Sequence, residues 1–562
     1  MSLRPLFLPF LLGSLASSIP CQGRPLLFQG SRAFSGSVQA PARGYFSAPD
    51  KLTLEIRAGK ARAGAAAAVL LGTMRASHPI PVGPDKFELD PRGLAAAWLL
   101  SLDSQGRGRI QIPVPAGIPF WRVLHFQGLV LTPKEPWTFR LTRALEAAAL
   151  PGVKTFYVDG DTNAGKEAGT PFAPFRKISS ALSAAAASGG GTVYVDGLQG
   201  GKNYREVLFI RSSGTTLAGR DWTGAGQGRP TVEGLMDMTP DKKRGTLNIR
   251  GTASSFLSGI TVEGLRILPS GYKATYRGAR CVRADYVKGL VFRDCRFEGV
   301  GAPGLQTVTG INLGWKVSAL VEHCTVSKLS CSGKAPGPGN VHVMGIKIVQ
   351  GAGEIVIRNT RIRDLCFLPV QGEGFRAVAG IWDAGSGKLV VANCVLGPMI
   401  LPATGGSTGP DTDLYGIWTF SRGSIRNNVF HRFDLSAYKC NVKQVEGVRF
   451  YKGGRGMEFT NNIFADFRLG PVVGVHSCAA ATVSSGTQQV SYSCVWKVSQ
   501  GFRGNGFRFG PGILLNKDPL LVLPAYSLKQ GSPCLGTGNP LYQPRNMGVW
   551  GGPWAGYPGC RW

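Results

Sequence analysis

The stretches GSIRNNVFHRF at 423–433 and GMEFTNNIFADF at 456–467 share one pattern, a doubled Asn followed by two apolar residues. The first Asn of each pair is Asn427 or Asn461, and these two residues lie 34 positions apart. Four earlier phrases keep the same frame: FRDCRF (292–297), VEHCTV (321–326), IRNTRI (357–362) and VANCVL (391–396). The residues at the third position of all six phrases are Asp294, His323, Asn359, Asn393, Asn427 and Asn461. Because consecutive members are 29 to 36 residues apart, the pattern predicts a repeat protein.

A second short motif precedes each phrase by 10–13 residues, and in most copies it is a Gly followed by an aliphatic residue. The copies are CVRAD (281–285), GINLG (310–314), GIKIV (345–349), GIWDA (380–384), GIWTF (416–420) and GVRFY (447–451). Helical and leucine-rich repeats fit poorly, because these segments have no 3.6-residue apolar period and no recurring Leu frame. Short apolar runs bounded by Gly and Asn predict stacked β-coils, and therefore an all-β solenoid.

The doubled Asn has a physical explanation in such a coil. The chain must turn sharply between two sheets in every coil, and Asn tolerates the left-handed backbone region better than other non-glycine residues. An Asn amide can also hydrogen-bond to its equivalent one rung away, about 4.8 Å along the stack. Which Asn of each pair faces inward is left open. Cys295 and Cys324 share a position in consecutive phrases, where they either form a disulfide or stack as small apolar side chains, and we expect stacking.

The composition indicates a folded and strongly basic protein. The chain has 562 residues, 43% of them hydrophobic, and its mean hydropathy is near zero, so it is too long for one compact core. Its 63 Lys and Arg outnumber 33 Asp and Glu and give a net charge of +30, which favours anionic polymers. The basic residues are scattered and match no nucleic-acid-binding motif. No CxxC pair occurs among the 12 Cys, so we expect no zinc site.

The first 145 residues divide into three segments. MSLRPLFLPFLLGSLASS at 1–18 has a basic start, a short apolar core and small residues, which predicts a signal peptide over 1–16. Residues 17–45 are rich in Gly, Ser, Pro and Arg and are expected to be a linker. Alternating apolar runs then predict a small β-sandwich-like domain over 46–145. Since no later stretch is apolar enough to span a membrane, we expect a secreted or extracellular surface protein.

The remaining residues, 155–562, carry motifs in a characteristic order. These are YVDGDTNAG, PFRKI, ALSAAAASGGGTVYV and NYRE between 157 and 206, with SPCLGTGNP and NMGVWGGP near the C terminus. This order resembles the N-terminal cap and the ending of secreted right-handed parallel β-helix proteins of the pectin-lyase-like superfamily. The resemblance implies a right-handed parallel β-helix, and relatives that include polysaccharide lyases and glycoside hydrolases. The predicted cap helix starts near Pro174 and ends at the Gly run 189–191. Its expected apolar face is Ile178, Ala181, Leu182 and Ala185.

Strand alternation predicts which residues of the Gly-aliphatic motif face solvent. The inward residues are expected to be Ile311, Ile346, Ile381, Ile417 and Val448. The outward residues are expected to be Arg283, Asn312, Lys347, Trp382, Trp418 and Arg449, followed two positions later by Asp285, Phe420 and Tyr451. Aromatic faces suit sugar rings, and cations suit carboxylates or sulfates, so this stripe is a candidate polysaccharide-binding surface. The alternative is an aromatic ladder that only stabilises adjacent rungs.

Insertions at 327–344, 363–379 and 397–415 would stack beside this stripe and make it the floor of a cleft. A lyase needs a base, for which Lys347 and Arg449 are candidates, and a group that neutralises the substrate carboxylate, often a metal held by Asp. Asp383 is the acidic catalytic candidate, although it is expected to point inward or start a turn, and these strands show no cluster of Asp to hold calcium. A hydrolase needs two carboxylates about 5–9.5 Å apart. Asp413 and Asp383 are offset by six residues, about 20 Å along a strand, which disfavours that pair. Further candidates in or beside the insertions are Glu373, Asp411 and His342.

The loop DGDTNAG at 159–165 places Asp159, Asp161 and Asn163 at alternate positions, as calcium loops do. Calcium is therefore the one candidate cofactor, although the Gly falls one place late, and a solvated cap loop is the alternative. The sequence as a whole predicts a secreted, monomeric β-helix protein that binds, and in a lyase-type reaction cleaves, an anionic polysaccharide. The alternative is a non-catalytic, adhesin-like surface protein whose β-helix is only a scaffold.

Overall fold

The computed structural model describes strands between residues 26 and 149, together with 102–104, and then most of 154–550. Within 154–550 the residues that are not described are 164, 224–227, 235–244, 270–277, 304–306, 333–340, 368–375, 403–411, 438–442, 452–456, 470–475, 486 and 542–544. The predicted signal peptide lies outside the described residues. The chain divides into two compact units. The first is Met1–Arg176 with Tyr194–Gly200 and Arg220–Gly228, and the second is Lys177–Val193 with Gly201–Gly219 and Arg229–Trp562.

The described residues in the N-terminal part of the first unit form three sheets. One has the order Leu26–Leu27, Lys51–Arg57, Arg107–Pro113. A larger one has the order Ala42–Phe46, Leu145–Ala149, Val123–Leu131, Ala66–Gly72, Leu94–Ser101, with Phe139–Leu141 also paired to Val123–Leu131. The third is the pair Arg75–Val82 and Asp85–Leu89. The predicted short strands are therefore present, with Leu26–Leu27 inside the expected linker and Ala42–Phe46 across its end. The sandwich packing and the domain boundaries stay predictions.

The second unit is a β-solenoid of about 8 turns built from three parallel sheets, as the repeat predicts. Sheet A contains Leu208–Ile210, Leu247–Arg250, Gly278–Asp285, Thr307–Leu313, Val341–Ile348, Arg376–Asp383, Thr412–Thr419, Lys443–Phe450, His476–Val483 and Gln500–Arg503. Sheet B contains Thr215–Gly219, Thr261–Glu263, Leu290–Arg293, Ala319–Glu322, Glu354–Arg358, Lys388–Ala392, Gly423–Arg426, Glu458–Thr460, Gln488–Ser491 and Phe507–Phe509.

Sheet C completes each coil. It contains Asn203–Arg205, Thr231–Glu233, Arg266–Leu268, Arg296–Pro303, Thr325–Ser332, Arg361–Arg363, Val395–Leu396, Val429–His431, Ile463–Ala465, Cys494–Trp496 and Leu514–Leu515, with Cys366–Phe367 beside Thr325–Ser332. Smaller groups of strands are Leu257–Ser258 with Val287–Lys288, Met399–Ile400 with Phe433–Leu435 and Arg468–Leu469, and Leu521–Val522 with Ser527–Leu528. The chain thus passes from sheet A to sheet B and then, through the Asn turn, to sheet C.

The Asn phrase forms the corner between sheets B and C. The residues at its third position have φ angles of 49°, 53°, 49°, 53°, 55° and 58° at Asp294, His323, Asn359, Asn393, Asn427 and Asn461. All six lie in the left-handed region, where a non-glycine residue is costly and Asn and Asp are the best tolerated. The predicted turn role of the first Asn is therefore confirmed.

The second Asn of each pair points into the coil, which settles the orientation that the sequence left open. Asn428 Nδ2 donates to Asn462 Oδ1 over 3.0 Å, and both side chains are fully buried. Asn428 Oδ1 accepts the backbone N–H of Cys394 over 2.9 Å, so the ladder continues into the preceding coil. Cys295 and Cys324 are both buried and free, which confirms stacking rather than a disulfide.

A row of aliphatic side chains lines the inner face of sheet A in five consecutive coils. The residues predicted to point inward, Ile311, Ile346, Ile381, Ile417 and Val448, are all 0% exposed. They pair directly across neighbouring strands, so they form one continuous row inside the solenoid. Burying such a row contributes roughly 1.5–3 kcal/mol for each side chain and fixes which face of sheet A is outward.

The predicted cap elements occur in the expected order, as strand Thr155–Val158, helix Ile178–Ala187 and strand Gly191–Val195. The buried face of the helix is Ile178, Ala181, Leu182 and Ala185, as the sequence predicted. The helix has no side-chain cap from its own N-cap residue, Lys177. Instead, Glu206 accepts the N–H groups of Ile178 and Ser179 over 2.9 and 3.0 Å. The Glu of the NYRE motif therefore satisfies the first turn of the helix.

We expect Glu206→Ala to lower the free energy of unfolding by about 1–2 kcal/mol, because two N–H groups and the positive end of the helix lose their acceptor. Glu206→Gln should lose less, since one carbonyl oxygen remains. The measurement is the urea midpoint of unfolding followed by circular dichroism. Glu354→Ala is the control, because its ion pair with Lys388 is exposed and surface pairs contribute little. An equal shift for Glu206→Ala and Glu354→Ala would contradict the capping role.

Candidate functional site

The outward residues predicted on sheet A form one unbroken row across six neighbouring strands. Direct pairing links Arg283 to Asn312, Asn312 to Lys347, Lys347 to Trp382, Trp382 to Trp418, and Trp418 to Arg449. We call these six residues the outer row. Asn312 is 7% exposed, and the others are half-buried. Since neighbouring strands lie about 4.8 Å apart, the row presents cationic groups, then two indole rings, then a further cation.

An aromatic cluster surrounds the two tryptophans and consists of His342, Trp382, Trp418, Phe420 and Tyr451. The ring centroids of Trp382 and Trp418 are 3.8 Å apart, and those of Trp418 and Phe420 are 4.9 Å apart. Tyr451 closes the cluster at 4.8 Å from Phe420, and His342 lies 5.6 Å from Trp382. The predicted residues Phe420 and Tyr451 thus lie beside the outer row. The contacts fit the predicted stability ladder and also leave half-buried ring surface for a ligand.

Lys347 is the cation of the outer row that lacks a counter-charge. Burial and the nearby Arg280 lower the pKa of Lys347. Burial and Lys347 in turn lower the pKa of His342 to about 4. Among the described residues Lys347 has no ion-pair or hydrogen-bond partner. A half-buried, unpaired ammonium beside other basic groups is a place where an anion gains most from binding.

Arg283 and Asp285 form a pair at the start of the row. Arg283 Nε lies 2.6 Å from Asp285 Oδ2, and Arg250 Nε lies 3.5 Å from the same oxygen. Asp285 is only 4% exposed. The predicted outward carboxylate is therefore engaged in ion pairs with its neighbours, which leaves Lys347 as the anion-binding candidate.

A second group of polar side chains lies on the same face of sheet A, around Gly416 and Gly447. The side chains of this carboxylate cluster are Asp413, Tyr415, Gln444, Glu446 and Arg449. Tyr415 Oη donates to Asp413 Oδ2, and Arg449 Nη1 donates to Tyr415 Oη over 2.9 Å. Arg449 Nη1 also lies 3.8 Å from Glu446 Oε2 and donates to Gln444 Oε1. One network thus joins two carboxylates on neighbouring strands.

The groups of the carboxylate cluster have shifted pKa values. Burial raises the pKa of Glu446 to about 6, against the opposing effect of Arg449. Burial and the charge of Asp413 raise the pKa of Tyr415, which therefore stays protonated. Burial lowers the pKa of Arg449, but the negative charges of Glu446 and Asp413 and the hydrogen bond to Tyr415 outweigh it, so the pKa is raised. Glu446 can therefore carry a proton at mildly acidic pH, while Arg449 remains a cation.

Asp383 and Arg449, which the sequence suggested as catalytic, are engaged in other contacts in the structure. Asp383 is 0% exposed and points into the solenoid, where it accepts the hydroxyl of Thr419 over 2.6 Å and the N–H of Ser386 over 2.9 Å. These contacts hold a turn and leave no carboxylate surface for a substrate or a metal. Arg449 is paired with Glu446 and kept protonated, which does not support a role as a base. Lys347 is the suggested base whose surroundings still fit.

The suggested calcium loop is held by contacts to backbone groups. Asp159 Oδ1 accepts the N–H of Asp161 over 2.9 Å, and Asp161 Oδ2 accepts the N–H of Gln199 over 2.5 Å. Asn163 is exposed. Among the described residues no group of three or more His, Cys, Asp or Glu side chains is placed to hold a metal. Both carboxylates already have a structural use, and calcium binding stays a prediction.

Sequence reasoning missed Tyr415 and Glu446, and it considered Asp413 only with Asp383. Each of these residues stands one or three positions before the Gly-aliphatic pair, in DTDLYGIW and KQVEGVRF. The ladder pairs Tyr415 with Glu446 and Ile417 with Val448, but it does not pair the glycines between them. The two glycines are equivalent and interrupt the alternation in both strands, so that Tyr415 and Trp418 face the same side and pack together. The Gly before the inward aliphatic residue, present in five of the six copies of the motif, was the available signal. Glu373 and Asp411 lie outside the described residues.

No protein-family model and no curated protein matches this sequence. Among solved structures, a glycoside hydrolase is 10% identical over 67% of this chain and 99% of that chain, with a TM-score of 0.34. The catalytic unit of a thermostable GH87 α-1,3-glucanase from Streptomyces thermodiastaticus is 13% identical over 83% of this chain and 90% of that chain, with a TM-score of 0.23. Tailspike protein 3 of bacteriophage CBA120 is 9% identical over 77% and 73%, with a TM-score of 0.20. Similarity this weak leaves the function to be argued from the residues of this chain.

No helix among the described residues is both long and apolar enough to cross a membrane.

Proposed function

We propose that the outer row of sheet A binds a polysaccharide that carries negative charge. The observation that supports this is the direct register of Lys347, Trp382 and Trp418 on three neighbouring strands. An indole ring offers a flat apolar face to a sugar ring, and an ammonium offers charge to a carboxylate or sulfate on the next sugar. The net charge of +30 adds long-range attraction for the same class of polymer.

Lys347 is the reason why we propose an anionic rather than a neutral polysaccharide. Its neighbour Asn312 has a buried side-chain oxygen without a hydrogen-bond partner among the described residues. A sugar acid placed there gives Lys347 a counter-charge, and a sugar hydroxyl gives Asn312 Oδ1 a donor. Each contact would give a partner to a buried polar group, the Lys347 ammonium or Asn312 Oδ1, and would so remove the free-energy cost of burying it unpaired. A neutral polymer would supply the hydroxyl but not the counter-charge.

The test is affinity electrophoresis of the whole protein in gels containing polygalacturonate, alginate, chondroitin sulfate or neutral dextran. We expect retardation by at least one anionic polymer, weakened by salt, and little retardation by dextran. Trp382→Ala with Trp418→Ala, and separately Lys347→Met, should weaken retention about tenfold or more. Lys388→Met is the matched control, because Lys388 is an exposed lysine on sheet B.

Unchanged retention by the tryptophan double variant would favour the structural aromatic ladder and the adhesin-like alternative. Equal losses of retention for Lys347→Met and Lys388→Met would mean that the polymer is bound by overall positive charge and not by the position of Lys347. A circular dichroism spectrum of each variant separates lost binding from lost folding.

A lyase reaction is a second candidate function, and the position of Lys347 favours it. A lysine whose pKa is lowered by burial and a neighbouring cation has a larger neutral fraction near neutral pH, which suits proton abstraction beside a sugar carboxylate. Absorbance of unsaturated products near 235 nm would reveal it. We also infer that the chain is a secreted, monomeric member of the pectin-lyase-like group; the cap helix with its Glu206 contact supports that inference.

A further inference from the structure

We propose that Asp413 and Glu446 form a hydrolytic centre that cleaves a glycosidic bond of the polysaccharide bound along the outer row. This inference rests on the proposed binding function and adds an activity to it. Glu446 is assigned as the general acid and Asp413 as the base that activates water.

The separation of the two residues fits this division of labour. Asp413 pairs with Gln444, and Tyr415 pairs with Glu446, so Glu446 lies one strand across and two residues along from Asp413. With strands about 4.8 Å apart and about 3.3 Å per residue, their Cα atoms are about 8 Å apart. Both side chains lie on the outer face, where Asp413 contacts Tyr415, Glu446 contacts Arg449, and Tyr415 and Arg449 contact each other. This backbone spacing is compatible with the separation of about 6.5–9.5 Å between carboxyl groups that inverting hydrolysis requires.

The surroundings of the two carboxylates differ in the direction that the two roles need. Asp413 accepts a hydrogen bond from the neutral Tyr415 Oη, which lies between it and Arg449. Glu446 is 1% exposed, and its burial favours the protonated form. Arg449 lies between Tyr415 and Glu446 and compensates the negative charge that Glu446 acquires when it gives up its proton. Two carboxylates whose environments differ in this way are suited to act as acid and base.

The reaction balances with water as the only co-reactant. Glu446 gives its proton to the oxygen of the departing sugar as the bond from the anomeric carbon to that oxygen breaks. Water attacks the anomeric carbon from the opposite face, and Asp413 takes one proton from it. The products are two shorter chains, one with a new reducing end, and transfer of the proton from Asp413 through solvent to Glu446 restores the enzyme.

The centre adjoins the proposed binding surface. Tyr415 packs with Trp382 and Trp418, and Arg449 belongs to the outer row. A sugar ring on Trp418 is therefore one strand from Glu446. Asp413 is 6% exposed and Glu446 1%, so a polymer must displace the groups that cover this face before it reaches both carboxylates.

The experiment incubates the whole protein with polygalacturonate, alginate and chondroitin sulfate between pH 4 and 8 and measures new reducing ends and absorbance near 235 nm. We expect reducing ends without unsaturated products. Activity should be lost as pH rises through about 6, because Glu446 must be protonated to act and its pKa is about 6. Proton NMR of the first product should show inversion at the anomeric carbon.

Glu446→Gln and Asp413→Asn should each lower the rate about 100-fold or more while leaving retention in affinity electrophoresis within about twofold. Glu354→Gln, an exposed carboxylate on sheet B, is the matched control and should leave the rate unchanged. Asp413→Glu keeps the charge and should retain more activity than Asp413→Asn if its role is that of a base.

Retention by a polymer without any product would overturn the hydrolytic centre and leave the binding function standing. Unsaturated products that persist in Glu446→Gln would assign the chemistry to a lyase instead. If both variants lose thermal stability but keep the rate, the carboxylate cluster is structural only. Absence of both retention and products would count against the binding function as well.

Discussion

Removing both amides of the asparagine ladder, in the double variant Asn428→Ala with Asn462→Ala, is expected to lower the free energy of unfolding by about 4 kcal/mol or more. That is comparable to the whole stability of many domains, so we expect the coils around these residues to unfold well below the transition of the parent protein.

The reason is the number of buried groups that the two amides satisfy. Asn428 accepts from the backbone of Cys394 and donates to the carbonyl of Val391, while Asn462 donates to the carbonyl of Ile425. Asn462 Oδ1 also accepts the backbone N–H of Asn428 over 3.1 Å. These groups lie inside the solenoid, where a polar atom that loses its partner costs about 1–3 kcal/mol.

The measurement is urea unfolding of the parent, both single variants and the double variant. Because the two amides bond to each other, the single effects should not add, and the double-mutant cycle should give a coupling energy of about 0.5 kcal/mol or more. Gln489→Ala removes an exposed amide on sheet B and should change stability by less than about 0.5 kcal/mol. A double variant as stable as Gln489→Ala would show that the ladder contributes little.

The repeat made much of the solenoid predictable. The interval between Asn phrases equals the length of one coil. The corner between sheets B and C requires a left-handed backbone conformation, which explains the positive φ angles of Asn427 and Asn461. Ile381 and Ile417 identified the inner face of sheet A because an apolar residue recurs once in each coil. The outer row could be predicted because each of its members comes directly after an inward residue and therefore points outward. Trp382 and Trp418 lie side by side as expected.

The carboxylate cluster could not be predicted by strand alternation. Strict alternation back from Val448 assigns Glu446 to the inner face, but the unpaired Gly447 reverses the assignment. The sequence shows the glycine without showing that it is skipped in the ladder. The first unit was predictable only as short strands, because it has no repeat from which a register could be read.

Gly416→Ala is expected to lower the free energy of unfolding by about 3 kcal/mol or more, and to disturb the outer face as well. A Cβ at Gly416 would lie 2.4 Å from the carbonyl oxygen of Gly447 and 2.7 Å from the ring of Phe430. Real Cβ atoms do not approach so closely, and the obstacles are the backbone of the next coil and a fully buried ring. Neither can move aside cheaply, because the interior is close-packed.

The same glycine links the fold to the candidate site. It is the residue that places Tyr415 and Trp418 on one face, so a backbone shift at Gly416 should separate Tyr415 from the aromatic cluster and Asp413 from Glu446. We therefore expect Gly416→Ala to change the near-ultraviolet circular dichroism of the tryptophans, and to weaken polysaccharide retention, at temperatures where the chain is still folded.

Gly387→Ala is the matched control for this prediction. Gly387 is exposed on the path from sheet A to sheet B, and a Cβ there would meet its nearest atoms at an ordinary 3.6 Å. Since Ala restricts the unfolded chain, Gly387→Ala should be neutral or stabilising by up to about 1 kcal/mol. Equal thermal midpoints for Gly387→Ala and Gly416→Ala would mean that the coils accommodate a side chain at position 416. A Gly416→Ala protein that is destabilised but keeps its tryptophan spectrum and its polysaccharide retention would show that Gly416 serves packing alone, and that the aromatic contacts themselves position the outer face.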